Sequence, residues 1–170
     1  MAGLGNELLT DDGVGIHACR LLAEKQPVIV PHELVIAEVG TAVMDALHLF
    51  EWADCILAVD SMRAGGPAGT IYLARPSDIE RQAASLSLHG LSLIGALRML
   101  AEESRAGEAN AVDGDGDAAA RPDHRCAVDI LGVEPASLEL GLELSGAVRG
   151  ALPEVVARVA AWIEQQARAR

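Results

Sequence analysis

Aromatic residues are nearly missing from this chain: one Phe, one Tyr and two Trp make up 2% of it. Its core must therefore be aliphatic, drawn from Leu, Val, Ile and Ala within an apolar fraction of 51%. That suits a parallel sheet covered by helices, whose strands are runs of branched aliphatic residues. Positive charge is also scarce. The 13 basic residues stand against 25 acidic ones, for a net charge of −12, which repels phosphate backbones and excludes nucleic acid as an expected partner. The three cysteines, Cys19, Cys55 and Cys126, are odd in number and far apart. They read as free buried thiols in a reducing compartment, and without a CxxC or a paired Cys/His spacing a structural zinc site is not expected. No basic segment followed by an apolar one opens the chain, and no apolar run approaches the ~18 residues of a membrane span. A cytoplasmic monomer with no membrane partner is expected. There is no GxSxG elbow, and Cys19 and Cys55 fall in predicted buried elements, which disfavours a covalent Ser or Cys hydrolase.

At 170 residues the chain is expected to be one domain, long enough to bury a proper core. Val14, Ala18, Leu21, Leu22 and Lys25 recur at helical spacing, predicting a helix over 13–25. Leu34-Val35-Ile36-Ala37 reads as a short strand, 42–52 as a helix, and Cys55-Ile56-Leu57-Ala58-Val59 as a strand buried on both faces and ending at Asp60. Thr70 to Ala74 is the next strand. Only the nine residues Ser61 to Gly69 precede it, too few for a parallel crossover, so it is expected antiparallel to its predecessor or outside the parallel set. Pro76-Ser77-Asp78 opens a helical turn, 90–102 is a strong helix, and 127–133 is the last strand. A final helix is predicted over 153–168, with Pro153 in its first turn. Residues 104–125 hold Gly, Ala, Asp and Asn without periodicity and read as a flexible insertion. The order predicts α/β architecture: a three-layer sandwich with a twisted, mostly parallel sheet between helices. One strand is expected to be missing, since only Met1 and Ala2 precede Gly3 where the first strand should run; a natural start upstream of Met1 would supply it.

The polar chemistry gathers around Gly3-Leu4-Gly5-Asn6-Glu7-Leu8-Leu9-Thr10-Asp11-Asp12-Gly13-Val14-Gly15. Its glycines permit a sharp turn at a sheet edge, and Thr10, Asp11 or Asp12 can cap the helix that follows. In open α/β sheets ligands bind beyond the carboxyl ends of the strands. Asp12 in this turn, Asp60 at the end of the most buried strand and His89 just before a helix all fall there. Singly, Asp12 reads as a cap, Asp60 as a strand-end residue closing a loop, and His89 as a loop or N-cap histidine. Together, two carboxylates and an imidazole make a site for a borderline divalent ion such as nickel or zinc. Other patterns fall away. Gly3-Leu4-Gly5 starts like a dinucleotide fingerprint, but Leu8 stands where the third glycine belongs and Asp11 and Asp12 would face the pyrophosphate. Asp113 to Asp117 starts like a calcium loop, but Ala118 stands where glycine is needed. His17, His32 and His48 form no ligand spacing with one another.

The stretch Gly5 to Gly15 resembles the opening motif of the endopeptidases that mature nickel–iron hydrogenases. Gly40-Thr41 before a helix, Val59-Asp60 with Pro67-Ala68-Gly69-Thr70, Ser87-Leu88-His89-Gly90-Leu91, and Gly132-Val133-Glu134-Pro135 follow in the family's order. The resemblance covers nearly the whole chain outside 104–125. It implies an aspartic-type endopeptidase that trims a C-terminal extension from the hydrogenase large-subunit precursor once nickel is inserted, with a fold shared with spore germination proteases. The family's metal-contacting residues, also its catalytic set, match Asp12, Asp60 and His89. The nickel would be carried by the substrate, and other divalent ions would fit the same site. Where the family commonly has Asp-Gly-Gly-Thr this chain has Glu38-Val39-Gly40-Thr41. Glu38, Gly40 and Thr41 are thereby expected to hold the substrate tail, the longer Glu38 changing its grip. The ion would report that the precursor is loaded or polarise the scissile carbonyl or a water, or a carboxylate would serve as general base. An endopeptidase of similar fold acting on another protein, and a non-catalytic metal- or partner-binding module, are the competing readings.

Overall fold

The computed structural model describes residues 1–24, 33–81, 93–100 and 127–169. The expected insertion at 104–125, together with His89, His32 and Cys126, lies outside the described residues. Five strands form one sheet: β1 (Ala2–Leu4), β2 (Ala37–Gly40), β3 (Cys55–Ser61), β4 (Ile71–Ala74) and β5 (Ala127–Val133), in the order β2-β1-β3-β5-β4. β2, β1, β3 and β5 run parallel, and β4 pairs antiparallel with β5, as its short connection from β3 requires.

The helices are α1 (Val14–Glu24), α2 (Leu47–Trp52), α3 (Pro76–Arg81), α4 (93–100) and α5 (Gly146–Arg168). Alternation along β3 divides the core into two. Ile56 and Ala58 pack with Val43, Ala46, Phe50, Leu93 and Ile94, on the side of α2 and α4. Leu57 and Val59 pack with Val14, Ala18, Leu22, Val148, Val155 and Val159, on the side of α1 and α5. The sheet is thus sandwiched, as the element order predicts. Full burial of Leu57 and Val59 contributes about 1.5–3 kcal/mol each, which explains why β3 is the continuous apolar run of the sequence. Among the described residues, no helix is long and apolar enough to cross a membrane.

Several expectations are corrected. The first strand is not missing: Ala2–Leu4 forms it, in register with β2 on one side and β3 on the other, with Leu4 fully buried. Three residues show no periodicity; two neighbours, not local preference, make them a strand. β2 begins at Ala37, where the sequence predicted a strand ending, because its register is set by pairing Ala2 with Ala37 and Gly3 with Glu38. The helix expected over 42–52 is split into a 3-10 turn, Val43–Ala46, and α2. α5 starts at Gly146, capped by the Ser145 hydroxyl accepting from the Val148 amide at 3.3 Å, so Pro153 stands inside the helix. A proline there costs one intrahelical hydrogen bond.

Candidate active site at the carboxyl ends of the strands

Chain direction changes at β1. The crossover through α1 leads to β2 on one side, while β3 lies on the other. The crevice at such a switch point, beyond the strand ends, is the natural ligand position of an open α/β sheet. Asp12 and Asp60 both arrive there, one from the turn after β1 and one from the end of β3.

The turn after β1 is shaped by backbone contacts. Gly5 has φ +108°, and a Cβ there would run into the Asp12 carbonyl oxygen. At Gly15 a Cβ would meet the Leu4 and Val59 carbonyls, so this glycine lets α1 lie directly on β1 and β3. The Asn6 side chain accepts from the Leu8 amide at 3.0 Å, and a 3-10 turn, Thr10–Gly13, leads into α1. None of Thr10, Asp11 and Asp12 caps that turn, contrary to expectation; its N-cap is Leu9, with no side-chain cap bond. The two aspartates are engaged elsewhere.

Asp12 is buried. Its Oδ2 accepts from the Asn6 amide at 2.8 Å and its Oδ1 from the Ser61 hydroxyl at 2.6 Å. Asp60 is fully buried, and its Oδ1 accepts from the Ser61 amide at 2.9 Å. Ser61 therefore bonds both carboxylates. Sequence reading passed over it, although its position directly after Asp60 at a strand end was the available signal. Among the described residues no group of three His, Cys, Asp or Glu side chains is placed to hold a metal ion; the third expected member, His89, lies outside them.

Asp11 is also fully buried, and it faces the loop between β5 and α5. Its Oδ1 accepts from the Ser145 amide at 2.7 Å, and its Oδ2 from the amides of Ala136 and Ser137 at 2.8 and 3.1 Å. Glu134, quoted in a sequence motif but given no role, grips the loop after β3. Its Oε2 accepts from the Ala64 amide at 2.8 Å, the Gly66 amide at 3.3 Å and the Tyr72 hydroxyl at 3.0 Å. Two buried acids thus hold the loops after β3 and after β5. Gly40, with φ +61°, accepts from the Gly5 amide at 3.2 Å, which brings the end of β2 and Thr41 beside the turn. The exposed Glu38 carboxylate lies against Arg20, at 2.9 Å from Nη2, and Arg20 also meets Glu7 at 2.9 Å. Arg20 thereby links Glu38 to the opening turn, in pairs exposed enough to contribute only about 0–1 kcal/mol each.

The family described as HycI hydrogenase maturation protease matches residues 19–112. No curated protein matches the chain. Among solved structures, the hydrogenase maturating endopeptidase HybD from E. coli is 23% identical, covers 97% of this chain and 91% of its own, and superposes with a TM-score of 0.70. The NiFe hydrogenase maturation protease HybD from Thermococcus kodakarensis is 24% identical over 93% of each chain, with a TM-score of 0.68. The hydrogenase 2 maturation peptidase from Thaumarchaeota archaeon SCGC_AB-539-E09 is 26% identical over 96% of each chain, with a TM-score of 0.60. The fold is shared along nearly the full length, and the family match covers more than half of the chain: this protein belongs to the hydrogenase maturation protease family.

Proposed function

We propose that this peptidase removes the C-terminal extension of a nickel–iron hydrogenase large-subunit precursor after nickel insertion, and that Asp12, Asp60 and His89 recognise the substrate-borne nickel. The observation that carries the reading is the pair of buried carboxylates joined through Ser61 at the switch point of the sheet, in a chain of this family. Carboxylate oxygens and an imidazole suit a borderline divalent ion. Nickel bound to the precursor would supply a positive charge beside the scissile bond. Asp12 and Asp60 would then have two duties in this chain: to register that the precursor is loaded, and to accept a proton from the attacking water. Gly40 and Thr41, at the end of β2 next to the turn, would carry the substrate tail, with Glu38 further along the same strand. The free thiols of Cys19 and Cys55 support a cytoplasmic setting. The test is the rate at which Asp60→Ala and His89→Ala variants process nickel-loaded precursor. Processing is expected to stop in both, and a wild-type rate in either would remove that residue from the site.

A further inference from the structure

The loop over 62–70 follows directly on Asp60 and Ser61 at the end of β3, and it is bonded along its length. The Met62 amide donates to the Val133 carbonyl at 2.9 Å, and the Ala64 and Gly66 amides donate to Glu134 Oε2 at 2.8 and 3.3 Å. The Gly69 amide donates to the Glu134 carbonyl at 2.8 Å, and the Thr70 amide and hydroxyl donate to the Pro67 carbonyl at 3.1 and 2.6 Å. Gly65 has φ +86°, and a Cβ at Gly66 would run into the Tyr72 hydroxyl, so the turn needs glycine at both positions. Between the bonded amides of Met62 and Ala64 stands Arg63, which is exposed.

Arg63 carries a charge that no acid of its own chain takes up. Arg20, beside the turn after β1, already meets Glu7 and Glu38, and Arg149, near the start of α5, meets Glu143. Arg63 forms no ion pair with a described residue, on a chain of net charge −12. A C-terminal extension drawn to this edge of the sheet brings a carboxylate with it, at its last residue if nowhere else. Asp12 and Asp60 repel that charge, and Arg20 is occupied. Arg63 follows Asp60 by three residues, at most about 10 Å of chain. Its planar guanidinium matches a carboxylate in a two-pronged, charge-assisted contact. Because the backbone on both sides is bonded already, less freedom is lost when the contact forms.

From this placement we infer that Arg63 is the receptor for a carboxylate of the precursor's C-terminal extension, anchoring the tail while Asp12 and Asp60 face the bond to be cut. Arg63 sets affinity for the tail and takes no part in the cleavage step. The inference rests on the proposed peptidase reading, so binding and cleavage are to be measured separately.

The experiment uses the full chain and purified nickel-loaded precursor. Affinity is measured by calorimetry, and cleavage by intact mass, for the wild type, Arg63→Ala and an Arg75→Ala control. Arg75 is exposed and follows the antiparallel β4, at the opposite end of the sheet. Each protein is run against the native precursor, a precursor with its terminal carboxylate amidated, and a precursor whose extension has Asp and Glu changed to Asn and Gln. Arg63→Ala is expected to melt like the wild type and to raise KM for the native precursor about five- to tenfold at unchanged kcat, the pattern of lost uniform binding. The control is expected to match the wild type. At least one altered precursor is expected to show the same loss with the wild type and no further loss with Arg63→Ala; amidation marks the terminal carboxylate, the amide substitutions a side chain. Wild-type KM in Arg63→Ala, a loss in kcat instead of KM, an equal loss in the control, or a loss that neither altered precursor reproduces overturns the inference. Wild-type binding without cleavage, weakened in Arg63→Ala, supports the receptor and overturns the peptidase reading. A wild type that does not bind overturns both.

Discussion

The Ser61 hydroxyl donates to Asp12 Oδ1 at 2.6 Å, while the amide of the same residue donates to Asp60 Oδ1 at 2.9 Å. One small residue at the end of β3 therefore bonds two carboxylates from distant parts of the chain. A group that orients a metal-contacting carboxylate from behind typically controls 10–100-fold in affinity or activity. Ser61→Ala is expected to slow cleavage of nickel-loaded precursor by about 10–100-fold with a melting temperature only a few degrees lower. An unchanged rate would mean that the spacing of Asp12 and Asp60 does not depend on this hydroxyl.

Asp11, one residue before Asp12, has a structural task. Asp11→Ala leaves the amides of Ala136, Ser137 and Ser145 without their acceptor. A buried donor without a partner costs about 1–3 kcal/mol. Because these amides are only partly buried, the lower figure applies, for roughly 3 kcal/mol in all. At about 2–4 °C per kcal/mol for a chain of this size, the melting temperature falls by about 6–12 °C. Asp11→Asn keeps one acceptor oxygen and is expected to fall between. Thermal melting followed by circular dichroism decides it, and an alanine variant as stable as the wild type would show that the loop is held by other bonds.

Cys19 gives the protein an alkaline limit. It is buried against β2, its Sγ 3.4 Å from the Ala37 carbonyl, and burial pushes its thiol from 9.0 up to about 11. The folded chain thus holds this proton more tightly than the unfolded chain. The contribution to stability is complete below about pH 9 and is lost as the pH rises to about 11. At ~1.4 kcal/mol per unit this is roughly 2–3 kcal/mol. Denaturant titrations of the wild type and Cys19→Ala at pH 8 and pH 11 are expected to show the wild type losing more stability across that range. Parallel losses would place the alkaline transition on other groups.

These residues also show what was legible in the sequence. β3 could be read because burial on both faces demands an unbroken aliphatic run, Cys55 to Val59, and α1 because Val14, Ala18 and Leu22 share one helical stripe. The antiparallel β4 followed from the short Ser61–Gly69 connection alone. β1 was missed because its three residues are made a strand by their neighbours. The start of α5 was missed because Pro153 looks like a first-turn residue, whereas the cap is Ser145, eight positions earlier. The expected placement of Asp12 after β1 and of Asp60 at the end of β3 is what the structure shows. Ser61 was passed over, although it stands directly after Asp60 at the same strand end. The role of Asp11 depends on partners 125 to 134 residues away, which no local pattern encodes.

The central claim is that cleavage waits for substrate-borne nickel. It is tested most directly by incubating the wild-type protein with nickel-loaded and nickel-free large-subunit precursor at equal concentrations and following intact mass over time. The account predicts that the loaded precursor loses its C-terminal extension while the nickel-free precursor keeps its full mass. Cleavage of both at the same rate would contradict it.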